Sequence, residues 1–223
     1  LSLRDLFALQ STNSRLRSLV QAFKSTRWDI NALFSKFFSD PLIFRRQLYA
    51  CDAIVSGSQV VQFFANVQYP DSDLDIFLCL EGALPMARWL TANGYLFQPA
   101  SYLQTHVERF ILSLSREFDL RSAPYKPRYL DEQIIAVLNF YKHIGGIQTM
   151  KVQIIIVPHN PIRHVLDFHS TLVMNFIAWD RAVSIFPNQS FVDNCSFVAH
   201  LSKTQYPTPR WSRKWANRGY RMV

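Results

Sequence analysis

With 223 residues, 49% of them apolar and including 18 Phe, 9 Tyr and 5 Trp, the chain can bury one full core and cannot be disordered along its length. No apolar run approaches the roughly 18 residues of a membrane span, and Cys51, Cys79 and Cys195 are too few and too scattered for a disulfide framework or a cysteine zinc site. The net charge of +8 is local: six of the 24 basic residues and no acidic ones lie between Lys203 and Val223, and without them 18 basic residues face 16 acidic.

The first fifty residues read as helices. Leu16, Leu19, Val20 and Phe23 keep helical spacing, as do Ile30, Leu33, Phe34, Phe37 and Phe38. Both stripes are expected to face the domain's own core. Asp40-Pro41 ends the second helix and opens a third. The pattern then changes. Ala53-Ile54-Val55 predicts a short buried strand closed by Ser56-Gly57-Ser58, with a helix through Val60, Val61, Phe63 and Phe64 to Asn66. Tyr69-Pro70-Asp71 predicts a turn and Leu74 to Leu80 a second strand. Pro85 to Ala92 predicts a helix that Gly94 caps.

Residues 95 to 130 give no clear pattern, and their Pro and Tyr content suggests loop. Ile134 to Tyr141 and Val152 to Val157, on either side of Gly145-Gly146, predict an antiparallel hairpin. A helix over Pro161 to His169 and a strand over Leu172 to Trp179 follow. The expected division is a helical extension over 1–50 packed on the core, a domain over 51–200 and a basic, aromatic segment over 201–223. A mixed sheet of about five strands is expected.

Chemistry concentrates in Asp71-Ser72-Asp73-Leu74-Asp75-Ile76. Side chains alternate along a strand, so Asp73 and Asp75 share one face and Leu74 and Ile76 the other. Two neighbouring carboxylates repel unless water or a cation offsets them, and oxygen ligands at that spacing suit Mg²⁺ completed by substrate phosphates. Upstream, Gly57 allows close approach of backbone to a ligand. The Ser58 hydroxyl and the free N–H groups of the next helix form an anion site. Both grips are expected to meet in one solvent-open cleft beside Ser58.

Apolar-Gly-[Gly/Ser], a spacer and then Asp-apolar-Asp resembles the polymerase-β-like nucleotidyltransferase superfamily. Gly57-Ser58 and Asp73-Leu74-Asp75-Ile76 carry the resemblance, and the hairpin extends it to about residues 50 to 180. The whole chain is also similar to an uncharacterised family of fungal proteins of this type. The resemblance implies an α+β, nucleotidyltransferase-like fold with a mixed sheet flanked by helices and a helical N-terminal extension. It implies that Gly57 and Ser58 hold a nucleoside triphosphate while Asp73 and Asp75 ligate Mg²⁺ (or Mn²⁺). Such a protein moves a nucleoside monophosphate from an NTP to an acceptor hydroxyl. The family's third carboxylate falls at Gln153, within Val152-Gln153-Ile154. Ser56 stands where the family has an apolar residue, and the Ser58–Asp73 spacer is long. The alternative is therefore an inactive protein of this fold that binds a nucleotide, RNA or a protein partner.

Lys151 and His159 flank the Gln153 strand, so either can approach a phosphate, and Lys151 is the nucleotide-binding candidate of the two. The histidines show no metal-ligand spacing, and His169 is read as structural. In the tail, Trp211 and Trp215 stand one helical turn apart among Arg and Lys. The segment either contacts RNA or another polyanion or docks its two indoles on the core with its cations in solvent. Docking is expected. The cysteines suit a reducing, intracellular setting, cytoplasmic rather than nuclear. The opening Leu1-Ser2-Leu3-Arg4-Asp5 reads as the start of a fragment without a secretory leader. Asn194-Cys195-Ser196 is a chance match to a glycosylation sequon.

Overall fold

The structure, a computed structural model, describes residues 3–70, 72–99, 106–121, 134–145, 148–199 and 209–223. Four helices open the chain: α1 Leu3–Thr12, α2 Ser14–Arg27, α3 Ile30–Phe34 and α4 Pro41–Ala50. Each start after the first has a side-chain cap. Asn13 accepts from the Leu16 N–H, Asp29 from Asn31 and Asp40 from Leu42 and Ile43, with Pro41 in the first turn of α4 where its missing N–H costs nothing. The chain continues through β1 Ile54–Ser56, α5 Ser58–Ala65, β2 Leu74–Leu78, α6 Leu80–Ala92, β3 Leu96–Gln98 and α7 Val107–Arg121. The hairpin strands β4 Ala136–Ile144 and β5 Gln148–Ile156 follow. The last part holds α8 Pro161–Leu166, β6 Asn175–Ile177, β7 Ala182–Ser184, α9 Pro187–Phe191, β8 Cys195–Ser196, α10 Arg210–Ala216 and β9 Arg221–Met222.

The class is α+β. Among the described residues, one mixed sheet of seven strands runs β3-β4-β5-β2-β1-β6-β7, and β8 and β9 form a separate parallel pair. β1 and β2 are antiparallel, β2 and β5 parallel, and β4 and β5 the expected antiparallel hairpin. One sheet face is the core. Val55, Leu74, Ile76, Leu78, Leu138, Phe140, Val152, Ile154 and Ile156 pack there against α4, α6 and α7. The residues between them along each strand point to the other face, which carries the site.

Several expectations are corrected. The α2 stripe does not face the core: Val20 is buried, but Leu19 is 59% exposed and Phe23 42%. The second stripe does, with Leu33, Phe34, Phe37 and Phe38 all buried, although α3 is a helix only to Phe34. α6 starts five residues before Pro85, and Gly82 fits tightly against the Cys51 carbonyl. Leu172 belongs to a 3₁₀ turn (Thr171–Val173), and the strand after it is confined to Asn175–Ile177. β3 and α7 lie in the stretch that gave no sequence pattern. Asp71, Gly146, His200 and residues 203–208 of the tail fall outside the described residues. Among the described residues, no helix is long and apolar enough to cross a membrane.

The C-terminal segment docks. Trp215 is 3% exposed in a cluster with Val61 of α5, Leu172, Val173 and Tyr220. Arg218 lies 3.9 Å over the Tyr69 ring, and the chain end pairs with β8 through Val223 N–H to Ser196 O (2.8 Å). Arg210 and Arg213 are exposed, as docking requires. Trp215→Ala is therefore expected to cost about 3–5 kcal/mol, a fall of roughly 10 °C in Tm for a domain of this size. A thermal melt of the full chain checks it, and an unchanged Tm would mean that the segment does not hold to the core.

Candidate functional site

β1 leads through Ser56 to Gly57, where the chain turns at φ 77°, ψ −150° into α5. That backbone region is open essentially to glycine alone. A second constraint acts at the same residue: a Cβ at 57 would overlap Asp75 Oδ2 and stand 3.2 Å from its Cγ. Sequence reasoning assigns the space at Gly57 to a ligand; the group that approaches it is the Asp75 carboxylate. Among the described residues no side chain caps α5, so its first N–H groups are left to other acceptors.

Strand register gathers the rest. Ser56 pairs with Asp75, Asp75 with Gln153, and Gln153 with Asn139, a polar row across β1, β2, β5 and β4 on the face away from the core. An amide oxygen aimed at two carboxylates would be repelled, so the Gln153 NH₂ faces them. It donates to Asp73 Oδ2 at 3.2 Å and Asp75 Oδ1 at 3.1 Å, while the other end of the amide lies 2.7 Å from the Asn139 side chain. Lys151, two residues earlier on β5, pairs with Asp73 Oδ2 at 2.5 Å. Lys214 of α10 donates to Ser58 Oγ at 2.9 Å. Burial, reinforced by the charge of Asp73, pushes the Asp75 carboxyl up to about 7, against the opposing pull of Lys214 and Lys151.

The two aspartates converge on Gln153 but open onto different hollows, in place of the single cleft expected. Asp75, Gly57 and Ser58 border a cleft of about 510 Å³ whose other walls are Phe77, Ile134, His164, Asp167, Phe168, His169, Val173, Trp211, Lys214 and Trp215. Asp73 and Lys151 border a groove of about 1270 Å³ with Gln59, Gln62, Tyr69 and Tyr141. His159 borders neither; it lines a small hollow with Pro158 and Arg163. His169 stacks on Trp211, ring centroids 3.7 Å apart and 14° from parallel, and burial lowers its pKa to about 4. It is thus a neutral structural ring, as its sequence context suggests.

Lys214, Asn139 and the Trp211–His169 stack were not found by sequence reasoning. Periodicity marked the tail as a docking helix and sent its cations to solvent, but only tertiary placement turns one ammonium onto Ser58. Among the described residues, no group of three or more His, Cys, Asp or Glu side chains is arranged to hold a metal ion. No family model, curated protein or solved structure matches the chain.

Two outcomes follow from this geometry. Gly57→Ala should destabilise by the backbone strain of about 1–3 kcal/mol plus the clash with Asp75. In an Asp75→Ala background only the strain should remain. Denaturant melts of the four proteins in this cycle measure the coupling, and equal costs in both backgrounds would show that the close approach is unimportant. For His169, the unfolded chain takes up a proton near pH 6.5 and the folded chain only near 4, so this residue removes stability as pH falls between those values. His169→Phe keeps the ring and abolishes that loss. Its Tm relative to wild type should rise progressively below pH 6.5, whereas a difference independent of pH would contradict a buried neutral imidazole.

Proposed function

We propose that this chain is a nucleotide-binding protein built on the plan of the polymerase-β-like nucleotidyltransferases, holding a nucleoside triphosphate by its phosphates with little or no transfer. The plan is supported by a strand that runs into Gly57-Ser58, a helix starting at Ser58, and an antiparallel neighbour that Asp73 precedes and on which Asp75 lies. A parallel strand supplies the next residue of the row.

The observation that carries the loss of transfer is Gln153. It stands where the family's third carboxylate is expected, and it bridges the two aspartates by donating to both. Mg²⁺ asks for a near-octahedral set of oxygens and carboxylate charge to offset its own. Here Lys151 is paired with Asp73, and the fields of Lys214 and Lys151 both act on Asp75. Asp73 is thus paired with one ammonium group, and both carboxylates meet an amide donor. That donor set does not fit a two-ion centre. The chain's own residues bind and orient instead: Ser58 and the first turn of α5 face the phosphates, and Asp75 stays anchored by Gly57 and Gln153.

One observation favours a second reading, Mg²⁺- or Mn²⁺-dependent transfer of a nucleoside monophosphate to an acceptor hydroxyl. Asp73 and Asp75 reach the same side chain from one face of β2, so they form a ligand pair whenever Lys151 is displaced. A labelled-NTP assay with each of the four nucleotides separates the two. The binding reading expects NTP affinity that changes little with Mg²⁺ and turnover at background. Gln153→Asp should gain ion-dependent turnover, because a general base alone is typically worth on the order of 10²–10⁴-fold in rate. Robust wild-type transfer, abolished by Asp73→Asn and indifferent to Gln153→Asp, would sink the binding reading in favour of the second.

A further inference from the structure

The polar end of the 510 Å³ cleft is built by two segments far apart in sequence. Ser58, 7% exposed, holds its hydroxyl at the first turn of α5. The Lys214 ammonium arrives from α10 and takes that hydroxyl as its acceptor at 2.9 Å. An ammonium has three donors, and among the described residues this one has no carboxylate within ion-pair distance. Desolvation at the cleft holds its pKa below that of an ordinary lysine. The ammonium, on an exposed residue, lies in the field of Asp75 and Asp73 and over the Trp215 ring, and beyond the Ser58 hydroxyl it keeps donors for a ligand anion.

Its placement is fixed from both sides. Trp211 stacks on His169 one turn before it, and Trp215, the next residue, is buried against α5. The cleft beyond the polar end is large enough for a small ligand and has apolar, aromatic walls that include Phe77, Phe168 and Trp211.

We infer that Lys214 is a phosphate-binding residue supplied by the C-terminal segment. A phosphate of a nucleoside triphosphate takes the ammonium in place of the Ser58 hydroxyl and sits between the two groups, with the rest of the ligand along the aromatic wall. The inference rests on the nucleotide reading above and names the group that holds the phosphates. It also makes the docked tail part of the binding site, so ligand binding and tail docking support each other.

The test is calorimetric titration of the full chain with ATP, GTP, CTP and UTP, with inorganic phosphate and tripolyphosphate, and with the free nucleosides. The proteins compared are wild type, Lys214→Gln, Lys214→Arg and Ser58→Ala, and near-ultraviolet circular dichroism of Trp211 and Trp215 checks that the tail stays docked. Lys214→Gln should weaken NTP and tripolyphosphate binding on the order of 10- to 100-fold, the usual range for a hydrogen bond to a charged group. Lys214→Arg should retain most of the affinity, and nucleoside binding should not change. NTP binding in wild type that Lys214→Gln leaves equal, or tightens, overturns the inference while sparing the nucleotide reading. Tripolyphosphate bound through Lys214, with no NTP bound more tightly, sinks the nucleotide reading and keeps the phosphate site. Wild type that binds neither NTP nor tripolyphosphate overturns both.

Discussion

A carboxylate on the middle strand of a seven-stranded sheet is costly to keep charged, and the arrangement around Asp75 follows from meeting that cost. Burial and the neighbouring Asp73 both favour its neutral form. Its surroundings act against them: Gly57 yields the space a side chain would fill, Gln153 donates across the strand pair, and Lys151 and Lys214 bring positive charge. None of these groups is adjacent to Asp75 in sequence. They meet because β1 and β5 flank β2 in one register and because α10 folds back onto α5.

This arrangement separates the two duties that metal-dependent phosphoryl transfer joins. Such enzymes use carboxylates to collect cations that then clamp the phosphates. Here Lys151 pairs with Asp73, the Gln153 amide donates to both carboxylates, and Lys214, hydrogen-bonded to Ser58, only partly offsets the burial that raises the Asp75 pKa. A site of that kind holds an anion by fixed charges. It lacks a group that both carries negative charge and can draw a proton from an attacking hydroxyl at position 153. That absence at position 153 is why we propose binding with weak turnover.

Much of the site was legible because it depends on local rules. Alternation along a strand placed Asp73 and Asp75 together, and a glycine between a strand and a helix marked the turn at 57. Gln153 was marked by the resemblance alone, as the position between apolar neighbours where the family has a third carboxylate, and strand register sets it beside Asp75. The hairpin was equally clear from Val152 to Val157 and its partner strand. The N-terminal stripe misled because Leu19 and Phe23 have helical spacing but no facing layer. The helix over Val107–Arg121 was missed although Val107, Phe110, Ile111 and Leu114 share one face of it, because Pro and Tyr in the sequence that follows suggested loop for the whole stretch. Pro85 was read as a helix start, whereas the preceding turn is held by buried Leu80 and Ala83. What could not be read was Lys214: its role depends on two packing contacts, Trp211 on His169 and Trp215 on Val61, and no periodicity encodes where a docked helix aims a flexible cation.

The proposed binding without an ion depends on the charge of the Asp73–Asp75 pair being balanced by the protein itself. Mn²⁺ titration of the nucleotide-free full chain, read by electron paramagnetic resonance, tests this without reference to any activity. The account predicts no specific Mn²⁺ site in wild type and the appearance of one in Lys151→Ala/Gln153→Asp, where the competing ammonium is gone and the third carboxylate is restored. A tight site in wild type that disappears in Asp75→Asn would contradict it.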